Sequence, residues 1–71
     1  MASVIVKVES RNAMNWGNWL IFATQGTGYS WQNGKTVDGE TELIMETDAP
    51  QMIKELLVNK GMPAHRIKII G

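Results

Sequence analysis

The stretch from Asp48 to Pro63 constrains this chain more than any other. Asp48 has the side chain of an N-cap, able to accept a backbone N–H bond and to favour the positive end of a helix. Pro50 is tolerated in a first turn, where its missing N–H would be unpaired anyway. Met52, Ile53, Leu56 and Leu57 then recur at i, i+1, i+4 and i+5, an apolar stripe with Lys54, Glu55 and Asn59 off it. Gly61 supplies the left-handed residue that ends a helix, and Pro63 stops it resuming. The spacing predicts a helix over 49–60. One helix of about three turns, at 3.6 residues each, covers one side of a sheet and leaves the other to be explained.

The sheet is read from alternation. In residues 3–9, Val4, Val6 and Val8 point one way while Ile5, Lys7 and Glu9 point the other, a half-buried strand. Residues 10–18 are polar, with Asn12, Asn15, Asn18 and Gly17, and read as a loop. The apolar run 19–24, Trp-Leu-Ile-Phe-Ala-Thr, reads as a second strand, and Gln25 to Gly28 as a turn. Tyr29 to Gln32 reads as a short strand, Asn33-Gly34 as a type I′ hairpin turn, and Lys35 to Val37 as the return. Asp38-Gly39 is a second turn or a bulge. In residues 40–47, Thr41, Leu43 and Met45 oppose Glu42, Ile44 and Glu46, and residues 66–70 form a last strand. The expected fold is α+β: a four- to five-stranded, mostly antiparallel sheet with one C-terminal helix on one face, in the order β-β-β-hairpin-β-α-β. All of residues 1–71 belong to one domain on this reading. The short link after the helix suggests that strands 40–47 and 66–70 are parallel through a crossover.

The helix stripe should meet Val4, Val6, Val8, Leu20, Phe22, Leu43, Met45, Ile67 and Ile69. The other face would then carry Ile5, Ile21, Ile44 and Ile70, with Trp19 and Trp31 beside them, among Lys7, Glu42, Glu46 and Lys68. Open faces of antiparallel sheets are usually polar, and a contiguous apolar patch marks an interface. These four isoleucines are therefore the candidate interface, unless the hairpin 29–37 or the loop 10–18 folds over them.

A chain of 71 residues is marginal alone, and such chains often add disulfides, a metal or a partner. This one has no cysteine and a single histidine, His65, so disulfides, thiolate zinc and multi-histidine metal sites are excluded. No cofactor is expected, and a homo-oligomer, in the simplest case a dimer, is. Seven Lys+Arg balance seven Asp+Glu, which argues against binding nucleic acid chiefly by phosphate neutralisation. The charges are segregated: residues 38–48 carry five acids and no base, and residues 54–68 carry Lys54, Lys60, Arg66 and Lys68 against Glu55. The N-terminus lacks the pattern of a signal peptide, and no apolar run reaches the roughly 20 residues of a membrane span. A cytoplasmic protein without membrane association is the expectation.

Catalytic signatures are weak. Glu42 and Glu46 lie on one strand face roughly 13 Å apart at β-rise, with no cleft implied. His65 has no serine or carboxylate partner at a recognisable spacing. Gly26-Thr27-Gly28 lacks the following Gly-Lys-Ser/Thr of a phosphate loop. Leu56 to Ile67, with Asn59-Lys60-Gly61-Met62-Pro63 and Arg66-Ile67, resembles the final helix-to-strand joint of OmpA-like peptidoglycan-binding domains. The residues that hold peptidoglycan in that family lie upstream and have no counterpart here. The resemblance implies shared loop chemistry and no function.

The aromatic group is the other candidate. Trp16, Trp19, Tyr29 and Trp31 fall within sixteen residues, beside Asn15 and three further asparagines. Such a group suits stacking on unpaired bases or sugars or anchoring a protein partner, or Trp19 and Trp31 pack as a cross-strand pair. The leading expectation is a non-enzymatic, homodimeric protein-interaction module with loop 10–18 and hairpin 28–38 as contact surface. Small, neutral, cysteine-free domains of this kind are typical of phage or mobile-element accessory proteins. The alternatives are single-stranded nucleic-acid binding through Trp16, Trp31 and Tyr29 with Arg11, Lys7 and Lys35, and a small enzyme with an intersubunit site using His65.

Overall fold

A computed structural model describes residues 2–27 and 29–71. The elements run β1 (Ala2–Glu9), a one-turn 3₁₀ helix (Ser10–Asn12), α1 (Ala13–Ala23), β2 (Ser30–Val37), β3 (Glu40–Thr47), α2 (Pro50–Lys60), a second 3₁₀ turn (Ala64–Arg66) and β4 (Ile67–Ile70). The four strands lie in the order β2-β3-β1-β4, and every neighbouring pair is antiparallel. This α+β arrangement, βαββαβ with β3 between β1 and β2, is the split βαβ or ferredoxin-like topology. It hosts many unrelated functions and by itself implies none.

Two helices, not one, cover the sheet. The expected loop 10–18 and strand 19–24 are replaced by α1. Its buried residues Ala13, Gly17 and Leu20, followed by buried Thr24, recur at i, i+4, i+7 and i+11, a helical stripe. Two of those positions are Ala and Gly, while Met14, Ile21 and Phe22 stand outward and exposed. Apolar residues on both sides of the helix hide its period. Phe22, expected in the core, is 73% exposed.

The hairpin also moves. Asn33-Gly34 does not turn the chain, because β2 runs through it. The register shifts between Asn33 and Thr36, so that Gly34 and Lys35 together oppose Glu42 in a β-bulge. The turn is Asp38-Gly39, with φ of 51° and 77°, both in the left-handed region a two-residue type I′ hairpin requires. A turn at 33–34 would give arms of only three or four residues. The turn at 38–39 pairs two eight-residue strands and sets Trp31 opposite Met45 on the core face. Of the expected turn 25–28, Gly28 lies outside the described residues.

Helix α2 is close to expectation. Pro50 opens it, and Gly61, at φ 117°, closes it. The Gly61 N–H reaches the Val58 carbonyl and the Met62 N–H the Leu57 carbonyl, each at 3.0 Å. That is a Schellman closure, which places buried Met62 against the end of the helix. Asp48 is not its cap: no side chain caps the first turn. Thr47 Oγ1 instead accepts the Ala49 N–H at 2.9 Å, and the Tyr29 hydroxyl donates to the Asp48 carboxylate. Strands β3 and β4 do run parallel, as expected of the crossover, but β1 lies between them and pairs with both.

The core lies between the helices and one sheet face. Val4, Val6 and Val8 of β1, with Leu43 and Met45 of β3, meet Leu20 of α1 and Ile53 and Leu57 of α2, with Ile67 and Ile69 packed at the margin. Both helices therefore occupy the same face, and among the described residues nothing covers the other, which is the bare face.

Candidate interaction surface

The bare face follows from the register. On β1 it presents Ser3, Ile5, Lys7 and Glu9, and on β3 Glu40, Glu42, Ile44 and Glu46. Ile5 and Ile44 are direct cross-strand partners at its centre, both half-buried. Ile70 of β4, opposite Ser3, shares the face and is 48% exposed. Ile21 does not: it sits on the outer surface of α1, on the far side of the molecule. Three of the four candidate isoleucines are thus brought together and one is removed. Neither segment 10–18 nor segment 29–37 folds over them: the first lies on the helix layer and the second is the strand at the sheet edge.

The charges of this face are arranged in columns. The β3 column carries Glu40, Glu42 and Glu46, while the β1 and β4 side carries Lys7, Lys68 and Arg66, with one acid, Glu9, at the end of β1. Ser3 Oγ donates to the Glu46 carboxylate at 3.0 and 3.1 Å. Arg66 reaches over β1, donating from Nη1 to Glu40 Oε2 at 2.6 Å and to the Lys7 carbonyl at 3.3 Å. Its hydrogen bond and its charge, aided by Lys7, hold the Glu40 carboxyl below its ordinary value. Beside this bridge lies an open depression of about 350 Å³ lined by Ile5, Lys7, Glu42, His65 and Lys68. The alternation in 3–9 and 40–47 marked Ile5 and Ile44. Arg66 and Glu40 were missed, because only the strand order brings them together across β1.

The aromatic candidates lie elsewhere and do not form one patch. Trp31 faces the core side of β2, and its ring fills the space beside Gly17. It makes no cross-strand pair with Trp19, which is on α1. Trp16 and Trp19 meet edge to face, centroids 5.7 Å apart, and the Lys60 ammonium sits 5.9 Å from the Trp19 ring centre. With Asn15 they line a notch of about 140 Å³ between α1 and the end of α2. Tyr29 is held by its hydroxyl to Asp48.

Among the described residues no group of three or more His, Asp or Glu is placed to hold a metal ion, and no helix is long and apolar enough to cross a membrane. Comparison with protein-family models, curated proteins and solved structures found no match for the chain.

Proposed function

We propose that the chain is a small non-enzymatic protein-interaction module that works as a homodimer through the bare face of its sheet. The observation that supports this reading is the Ile5–Ile44 pair, side by side at the centre of that face with no described segment of the chain over it. Fully burying such a side chain is worth about 1.5–3 kcal/mol, and the chain alone leaves both in partial contact with water. A 71-residue domain without disulfides gains disproportionately from that extra burial. Twofold association is the commonest solution in soluble proteins.

Sedimentation velocity on the intact chain tests the reading. The wild type is expected to dimerise, and Ile5→Lys and Ile44→Lys to give folded monomers by circular dichroism. A wild type that stays monomeric at high micromolar concentration would overturn it.

Nucleic-acid stacking has less support. The bare face carries no aromatic side chain among the described residues, Trp31 is engaged beneath α1, and the Tyr29 hydroxyl is engaged by Asp48. Tryptophan quenching by oligonucleotides at low salt would revive it. An enzyme using His65 has support only from the depression that this residue helps to line.

A further inference from the structure

We propose that two copies of the chain pack bare face to bare face about a twofold axis that runs along the strands, between β1 and β3. This rests on the reading of the bare face as the dimer surface and assigns that dimer its register.

Two in-plane twofold axes could bring the isoleucines of two copies together. An axis across the strands lays each β3 on the β3 of the other copy. Centred on Ile44, it sets Glu42 against Glu46 of the partner subunit, acid on acid twice over. An axis along the strands instead lays each β3 on the other copy's β1. From the pairing register, Ile44 then lies over the partner's Ile5, Glu42 over the partner's Lys7, Glu46 over the partner's Ser3, and Gln32 over the partner's Lys68. Each contact occurs twice. Facing sheets pack about 10 Å apart, a gap that Lys and Glu side chains can bridge. Charge complementarity selects the second axis.

Lys7 and Glu42 are available for this. They are cross-strand partners, yet the ion pairs among the described residues are Arg11–Glu9 and Arg66–Glu40. The Glu42 carboxylate leans toward β2, where Oε1 would lie 3.2 Å from a Cβ at Gly34. At the rim Glu40 comes opposite the partner's Glu9, and Lys35 opposite the partner's Arg66. Glu9, Glu40 and Arg66 are already neutralised within their own chain. Packed sheets also cross at about 30°, which draws the corners apart and leaves the centre in closest contact.

The register is tested by charge exchange, read by sedimentation and native mass spectrometry. K7E alone places Glu against Glu in its homodimer, and E42K alone places Lys against Lys. Each is expected to associate about tenfold or more weakly than wild type. An equimolar mixture restores both contacts and is expected to form heterodimers. The single-chain exchange K7E/E42K restores the homodimer and also keeps the cross-strand neighbours opposite in charge, so it reports even if a single variant folds poorly. Dimers that persist in both single variants, or a mixture that yields no heterodimer, overturn the register. If Ile44→Lys still dissociates the dimer in that case, the bare-face reading stands alone. A monomeric wild type overturns both.

Discussion

The indole of Trp31 occupies the space that a Cβ on Gly17 would need: an added Cβ would lie 2.7 Å from Cε2 and closer still to Cζ2 and Cη2. Glycine in mid-helix costs about 1 kcal/mol relative to alanine. Here that cost is offset by the close approach of α1 to β2, which lets Trp31 pack against the core cluster. Gly17→Ala should therefore destabilise the fold by about 1–3 kcal/mol, as overpacking does, despite its better helix propensity. Urea unfolding measures this. Trp31→Val should make the same Gly17→Ala change neutral or favourable. A stabilising Gly17→Ala in the wild-type background would mean that the helix does not sit on Trp31.

The Asn33-Gly34 and Asp38-Gly39 turn signals make separable predictions. Gly39 is at φ 77° with nothing close to an added Cβ, so Gly39→Ala meets only backbone strain, about 1–2 kcal/mol. Gly34 has no such φ, but an added Cβ would lie 2.9 Å from Ile44 Cδ1 and 3.2 Å from Glu42 Cβ. Gly34→Ala should disturb the centre of the bare face rather than the hairpin. The expected result is a chain whose stability falls less than in Gly39→Ala, but whose Ile44 methyl signals shift most in NMR spectra.

The Arg66–Glu40 bridge has a pH signature of defined sign. The Glu40 carboxyl lies below its ordinary value of 4.5 when folded, chiefly through the hydrogen bond from Arg66 and then its charge. A carboxylate with a depressed folded pKa contributes stability in full above the unfolded value and loses it as pH falls through the folded one. Wild type should thus exceed Glu40→Gln in stability at neutral pH, and the gap should close on acidification below 4.5. Both groups are exposed to solvent, so the gap is small and shrinks in salt. A difference that widened toward acid would contradict the assignment.

The legible parts of the fold were those where one period dominates. Strands 3–9 and 40–47 alternate cleanly because one face is buried under the helices and the other is bare. Helix α2 carries its own stop signal in Gly61. What could not be read was the pairing. Choosing Asp38-Gly39 over Asn33-Gly34 depends on which strand length matches β3, a property of the partner and not of the turn. Placing β4 beside β1 and not β3 depends on the sheet order. The bare face was half legible for the same reason: Ile5 and Ile44 announce themselves by alternation, whereas the Arg66–Glu40 bridge exists only once β4 and β3 flank β1.

The largest departure, α1, shows in the different burial of Leu20 and Phe22 and can be checked with two truncations. In a strand, Leu20 and Phe22 would point to the same face and share its burial. In a helix they are two residues apart, about 200° around the axis at 3.6 residues per turn. Leu20 is 2% exposed inside the core cluster, while Phe22 is 73% exposed on the outer surface. Leu20→Ala should cost about 2–5 kcal/mol by the cavity it leaves, and Phe22→Ala should change stability by about 0.5 kcal/mol or less. Comparable losses at both positions in urea titrations would restore the strand. A large loss at 20 with almost none at 22 is the outcome that only the helix permits.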